Sequence, residues 1–526
     1  MRPDLSAGRE SRAGFAALVR LLVLPFLLGA VMVAGFAPFY LYPLPILALS
    51  ALLLLWERCR GTRSAAVIGF SFGLGMFLTG VSWVYVSLHD YGGMGMLTAA
   101  IFTFLFCAIP ACYPALIGAI LKRLPAAKAV RLLFFFPSLW ALSEWVRGWL
   151  FTGFPWLAIG YSQVPDSPLA GFAPVLGVFG VSLATAVAAA ALALVIERVV
   201  ESRSKTPRRR MALLIRESGA WILVALLVAG AGSSGRQWTQ PLPGDSTSVA
   251  LLQGNIPQEM KWRPERAQAT LETYLRMAHS AQARLILLPE TALPMFNVHV
   301  PGEYLEMLAE QGRRNGGDVL VGVPEFEASG RYYNSVMNFG SAATQIYRKH
   351  HLVPFGDYFP LQEVLGWIMN LLHIPMSDFS RGERVQRPIQ AAGQKIAVNI
   401  CYEDAFGEEI IRQLPEATVL ANFTNDAWWG KSVASEQHLQ ISQMRAIETG
   451  RPMLRATNTG VTAIIDPKGR ITASAPEFTT TTVTGEIHGY QGATPYVRFG
   501  NWAFLVLAAL LIALPPAAQR FSRRKV

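Results

Sequence analysis

Cysteine is scarce in this chain. There are four in 526 residues, and Cys401 stands alone from position 240 onward. A disulfide framework within that half is therefore excluded. Charge is also scarce: Asp, Glu, Lys and Arg make up 15% of the residues, against ~25% in an ordinary soluble domain. With 52% hydrophobic residues and a mean hydropathy of +0.32, a wholly soluble protein is excluded, and the length is too great for one ordinary domain. No HExxH spacing occurs, Cys401 has no CxxC partner, and no GxGxxG or Walker pattern falls between a strand and a helix. Neither a metal nor a nucleotide cofactor is expected. The net charge of +11 invites a nucleic-acid reading. However, residues 240–495 hold 21 Lys and Arg against 26 Asp and Glu, so the basic excess lies in the apolar half. It flanks the hydrophobic runs, and no nucleic-acid partner is expected.

Long apolar runs are what the chain has in abundance. Eight windows are wide enough to read as spans: roughly 14–34, 38–56, 65–87, 94–121, 131–151, 169–195, 211–231 and 500–518. Alternate connections carry 22 basic residues: Arg2 to Arg20, Arg58–Arg63, Lys122–Arg131, Arg198–Arg216 and Arg520–Lys525. The others carry Arg147, Arg236 and Arg498. The positive-inside rule then places both termini in the cytoplasm and the polar insert after the seventh window outside. The expected organisation is a seven-span domain over 1–235, an extracytoplasmic domain over 240–490, and a last span with a basic tail over 497–526. In the fifth window, EWVRGWLFTGFPW puts Glu144 and Arg147 one turn apart among aromatics, where they can pair. An aromatic belt with a snorkelling Arg and a polar notch for a lipid headgroup both fit. Cys107 and Cys112 are expected to be packing residues.

From about residue 246 the pattern changes. TSVALLQGNI, ARLILLPE, DVLVGVPEF, NSVMNFG, TQIYRKHHL, IAVNICYED, TVLANFTND, PMLRATNTGVTAIID and TTTVTGEI read as strands. Residues 265–281, 303–314, 406–414 and 433–449 read as helices, and DPKG (Asp466–Gly469) as a hairpin turn. Strands interspersed with helices indicate an α/β or α+β layered domain.

Three reactive side chains end strands: Glu290 after LILLP, Lys349 after TQIYR and Cys401 after IAVNI. Strand C-terminal ends converge on one edge of such a sheet, where ligands bind. An unpaired thiol is either a buried small hydrophobe or a nucleophile. A following helix and a nearby ammonium would favour the thiolate, a carboxylate could serve as base, and the Lys could hold an oxyanion.

LLPETALP, YRKHHLVPFGDYFP and NICYED resemble the Glu, Lys and Cys segments of the nitrilase superfamily. With seven apolar windows before and one after, the whole chain resembles the apolipoprotein N-acyltransferase family. The resemblance implies an αββα sandwich for the insert and a Glu290, Lys349 and Cys401 triad. It also implies roles for Tyr402, Glu403 and Trp262, while Asp357 stands where the family carries Glu. It implies ping-pong transfer of an acyl chain, from sn-1 of phosphatidylethanolamine through a Cys401 thioester, to the α-amino group of a diacylglyceryl-cysteine. Lys349 and a backbone N–H near Tyr402 would hold the oxyanion. The implied setting is a bacterial inner membrane with a periplasmic catalytic domain and a monomeric enzyme. A membrane-tethered amidase would have little use for such a bundle, and a transporter would need repeats that the sequence does not show. Val364–Met376 is either a buried helix or a lid at the membrane interface, and Trp428 and Trp429 are either core or an interfacial anchor.

Overall fold

The computed structural model describes residues 18–202, 218–358 and 378–523, which group into two compact units. The expected lid at Val364–Met376 lies outside the described residues, as do Arg2, Arg9 and Arg12. The first unit runs to Ser82 and comprises, beyond that, Ala100–Arg236 and the residues from Asn501. The segment Trp83–Ala99, which takes in the end of the third window and the start of the fourth, groups instead with the second unit, Gln237–Gly500.

Each apolar window of the first unit carries a helix. Among the described residues four are long and apolar enough to cross a membrane: Thr62–Gly80, Met96–Arg123, Lys128–Arg147 and Pro168–Glu201. Val19–Gly35, Gly219–Ser234 and Trp502–Pro515 are shorter apolar helices, and Pro43–Arg58 fills the second window. Pro168–Glu201 is the central element and packs on Phe136–Arg147, Pro43–Arg58 and Ser218–Ser234. Its alanines Ala186 and Ala188–Ala191 are fully buried, and small side chains of this kind let neighbouring helices approach closely. The helix bends at Gly177, whose φ of 67° suits glycine. Cys107 is buried as expected, but Cys112 lies on an exposed helix face because the five-residue spacing turns it away.

The second unit holds two six-stranded sheets. The first sheet is built from β2 (Thr247–Gln253), β3 (Leu285–Leu288), β4 (Asp318–Phe326), β5 (Tyr332–Gly340), β6 (Ile346–Arg348) and β13 (Thr481–Ile487), in the order β13-β2-β3-β4-β5-β6. The second is built from β7 (Ile389–Ala391), β8 (Gln394–Ile400), β9 (Val419–Thr424), β10 (Met453–Thr457), β11 (Ala463–Ile465) and β12 (Ile471–Ser474), in the order β12-β11-β10-β9-β8-β7. Each sheet has a parallel centre, β2-β3-β4 or β8-β9-β10, with antiparallel flanks. A further short pair, β1 (Thr239–Pro241) with β14 (Tyr490–Gly492), joins the two ends of the unit.

The parallel strands are apolar on both faces, as strands covered on both sides must be. Alternate residues Leu251, Leu287, Leu320, Val398, Ile400, Ala421, Phe423 and Leu454 form a layer shared by the two sheets. The other residues of the first sheet face helices α1 (Pro264–Ser280) and α2 (Gly302–Arg314) through Leu271, Tyr274, Tyr304 and Leu308. Those of the second face α3 (Ala434–Thr449) through Leu439 and Ala446. The layering is α-β-β-α, as expected. Two local readings change. PMLRATNTGVTAIID is a hairpin, β10 and β11 pairing antiparallel, because Asn458–Gly460 turns the chain. Residues 406–414 form only a four-residue helix, Gly407–Ile410, and a 3-10 turn, Ile411–Gln413.

Candidate active site

Two strands of the first sheet deliver the ionic part of the site. β3 runs through Pro289 into Glu290, and β6 runs into Lys349. Lys349 Nζ lies 3.5 Å from Glu290 Oε1 and 2.8 Å from Asp357 Oδ2. All three side chains are buried. Asn334 Nδ2 donates to Glu290 Oε1 at 2.7 Å, and the Lys349 N–H donates to the Asn334 carbonyl at 2.8 Å. One residue of β5 therefore registers the Glu290 carboxyl against the Lys349 ammonium. Gly322 in β4 allows this geometry: a Cβ there would sit 2.2 Å from the Pro289 carbonyl oxygen and 2.8 Å from Glu290 Cα. Asp357 also accepts from the Val353 N–H at 2.8 Å, so despite its shorter side chain it reaches the ammonium from a tight turn.

The second sheet delivers the thiol. Cys401 follows β8 at φ +53°, and a 3-10 turn, Cys401–Ala405, begins there. It retains some accessibility but packs against the layer between the sheets. Strand ends from two different sheets thus converge here, which corrects the expectation of a single sheet edge. The expected thiolate bias is corrected as well. Burial pushes the Cys401 thiol far above its usual range, Glu290 adds to this, and the nearby Lys349 only offsets part of it. With no long helix starting here, little helix dipole is available to the sulfur. Burial also disfavours the Lys349 ammonium, but Asp357 and Glu290 outweigh it and keep the pKa above the ordinary lysine value. The resting site therefore holds a thiol beside a carboxylate and a fixed ammonium. A reaction at this sulfur would need a base to take the thiol proton as it proceeds.

Glu403 ties the two halves together. Its Oε1 accepts from the His350 and His351 N–H groups at 2.7 and 3.0 Å. Its Oε2 accepts from the Ile400 N–H at 2.7 Å and from Tyr347 Oη at 3.0 Å. One carboxylate thus straps the chain after Lys349 to the chain before Cys401. Burial raises its pKa to about 7, and these N–H donors limit the rise. The neighbouring Tyr402 is buried and meets His351 and Phe406 edge-on. Trp262 is half-buried at the end of a short turn, Gln258–Lys261.

Lys261 was not singled out from the sequence, yet its buried Nζ donates to the Glu290 carbonyl at 3.1 Å. Burial lowers its pKa to about 8, with Glu290 and Cys401 opposing the shift. A cluster behind Cys401 was missed as well: Asp404, Asn422, Asp426, His438, Ser442 and Arg455, all buried. The signal was Asn422 inside VLANFT and Arg455 inside MLRAT, since polar side chains in apolar strands require buried partners.

Trp428 and Trp429 are half-buried. Trp429 packs on Trp83 at 5.2 Å between ring centroids and Trp428 on Tyr91 at 6.0 Å, while Ser87 Oγ donates to the Trp428 carbonyl at 2.8 Å. Both rings thus hold the Trp83–Ala99 segment onto its unit. Glu144 and Arg147 belong to the first unit. They brace their own chain: Arg147 donates to the Phe154 and Trp156 carbonyls, and Glu144 Oε1 accepts from Trp140 Nε1 and the Ile159 N–H, both at 2.9 Å.

Comparison with known proteins adds the family. Residues 28–191 match the apolipoprotein N-acyltransferase N-terminal domain and residues 248–496 the carbon-nitrogen hydrolase domain. The apolipoprotein N-acyltransferase of Nitrosomonas europaea is 50% identical over 96% of this chain and 98% of its own. That of Methylococcus capsulatus is 44% identical over 97% of each chain. A carbon-nitrogen hydrolase structure from Helicobacter pylori is matched at 16% identity and a TM-score of 0.36, covering 46% of this chain and 89% of that one. With half its residues shared along almost the full length of both proteins, this chain belongs to the apolipoprotein N-acyltransferase family.

Proposed function

We propose that the chain transfers an acyl group from sn-1 of a phospholipid, with phosphatidylethanolamine as the donor, to the α-amino group of an apolipoprotein's N-terminal S-diacylglyceryl-cysteine. The catalytic residues are Cys401, Glu290 and Lys349. Glu290 takes the Cys401 proton as the sulfur attacks the ester carbonyl, and Lys349 with the Tyr402 N–H receives the developing oxyanion. Collapse breaks the ester C–O bond, the proton passes from Glu290 to the departing alcohol, and lysophospholipid leaves a thioester. The acceptor amine then attacks the thioester, Glu290 takes its proton, and the thiolate leaves and is reprotonated as the amide forms. Asp357 holds Lys349, Glu403 keeps the two strand ends in register, and Trp262 and Tyr402 line the approach.

The observation that carries this reading is the Lys349 ammonium set between two buried carboxylates beside an unpaired thiol, in a chain rich in membrane-length apolar helices. Eight spans in a bacterial inner membrane, with both termini cytoplasmic, would put the catalytic unit in the periplasm, next to lipid donor and lipidated acceptor alike. The working form is a monomer and requires no cofactor. Intact-mass analysis after incubation with phospholipid tests it. One fatty-acyl mass should appear on the wild type but not on Cys401→Ala, and a diacylglyceryl-cysteinyl peptide should discharge it. Discharge by water alone would make the protein a hydrolase, and no adduct with any phospholipid would remove Cys401 from the mechanism.

A further inference from the structure

We infer that His438 and Asn422 are positioning residues that fix the Cys401–Tyr402 peptide as an oxyanion donor. This rests on the thioester reading above. The Cys401 carbonyl accepts from Asn422 Nδ2 at 3.0 Å and, at 3.2 Å, from the His438 Nε2–H, which it shares with Asp404 Oδ1. In a planar trans peptide the N–H points opposite to the C=O. Two donors on the carbonyl therefore aim the Tyr402 amide hydrogen away from the buried cluster. They also hold Cys401 at φ +53°, a conformation that a residue with a side chain keeps only where its surroundings enforce it.

Geometry makes the histidine cationic. Nε2 lies 2.7 Å from Asp404 Oδ1, and Nδ1 lies 3.1 Å from Asp426 Oδ1. An ionised carboxylate only accepts, so both ring nitrogens must donate. The charge balance agrees. Arg455 reaches Asp426 Oδ2 at 2.8 Å and Asp404 Oδ2 at 3.5 Å, and an imidazolium gives these two buried carboxylates a second cation. Ser442 Oγ donates to Asp404 Oδ2 at 2.5 Å, and the Trp429 ring meets the imidazole in a T-shaped contact, 5.3 Å between ring centroids. Burial and Arg455 work against the imidazolium, but Asp404 and Asp426 outweigh them and hold its pKa above the ordinary value. A charged donor on the carbonyl polarises the peptide and strengthens its N–H as a donor.

A fatty aldehyde tests this on the full-length protein in detergent. The Cys401 sulfur adds to the aldehyde carbon, the C=O π pair moves onto oxygen, and the thiol proton passes to Glu290. The hemithioacetal oxyanion formed in this way depends on the donor. Alkylation by iodoacetamide forms no oxyanion and depends on the thiolate alone, provided it is measured on its high-pH plateau. His438→Gln should weaken aldehyde affinity by about 10- to 100-fold, with the plateau alkylation rate close to wild type. Asn422→Ser, which keeps the imidazolium, should show a smaller loss of the same kind, and it carries the comparison if His438→Gln does not fold. Unchanged aldehyde affinity, or an equal loss in both reactions, would overturn the inference and leave the thioester reading standing. If the wild type forms no aldehyde adduct at Cys401, the thioester reading fails and this inference fails with it.

Discussion

The charges around Cys401 act on the sulfur in opposite directions, and single substitutions separate them. Glu290 raises the thiol and Lys349 lowers it, on top of the larger rise from burial. Glu290→Gln should therefore bring the thiol down, so that iodoacetamide alkylation sets in at lower pH than in the wild type. Acyl transfer should nevertheless fall by about 10²–10⁴-fold as the base is lost. Lys349→Met should push the thiol higher still and shift alkylation to higher pH. The paired pH profiles check both signs. If Glu290→Gln and Lys349→Met move alkylation in the same direction, the assignment of these two charges to the sulfur is wrong. The same opposition explains why the sequence misled about reactivity. A Lys at a strand end is visible in TQIYRKHHL, but the desolvation of Cys401 by two stacked sheets is not. Glu290 and Lys349 could be read from their places after LILLP and TQIYR. Lys261 could not, since nothing in QEMKW distinguishes a lysine folded inward from a surface one.

At the scale of elements, β-branched and leucine-rich runs made β2, β3, β4, β8 and β9 legible, because strands buried on both faces must be apolar throughout. The three- and four-residue edge strands β1, β7, β12 and β14 left no such run. The hairpin at 458–460 was read as continuous strand because its flanks carry strand-forming residues. The turn is secured by remote contacts: Asn458 Nδ2 donates to the Ile256 carbonyl at 2.8 Å and to Asn425 Oδ1 at 3.0 Å. The charged cluster was illegible for the same reason. Asp404, Asp426, His438 and Arg455 sit on four different elements, and periodicity within one element says nothing of its neighbours. Packing between elements also sets the tolerance of the site. Gly322→Ala would press a methyl group onto the chain at Pro289 and Glu290. The expected outcome is a loss of turnover of about 10²-fold, in line with a misplacement of ~1 Å, together with a lowered melting temperature, because the clash is with backbone. Steady-state kinetics beside a thermal melt would show it, and full activity in this variant would mean that the strand bows without moving the base.

Over the whole molecule, the distribution of charge carries the topological claim. The apolar half takes the basic excess and the unit with the triad is mildly acidic. A cysteine introduced at exposed Asp245, in a Cys59→Ser background, should react with an impermeant maleimide added to intact spheroplasts. Cys59 itself, in the wild type, should react only after the membrane is opened. The reverse pattern would invert the orientation. β1 and β14 lie side by side, Gln240 opposite Gln491, so the Gln237–Gly500 part of the second unit enters and leaves through neighbouring strands roughly 5 Å apart. For the helices on either side, an insert of about 250 residues closes like the tip of a hairpin, and its closure entropy is settled within its own folding. A domain clasped in this way is a cassette. Its ends need no help from the flanking helices to meet, although Trp83–Ala99 reaches it from elsewhere in the chain.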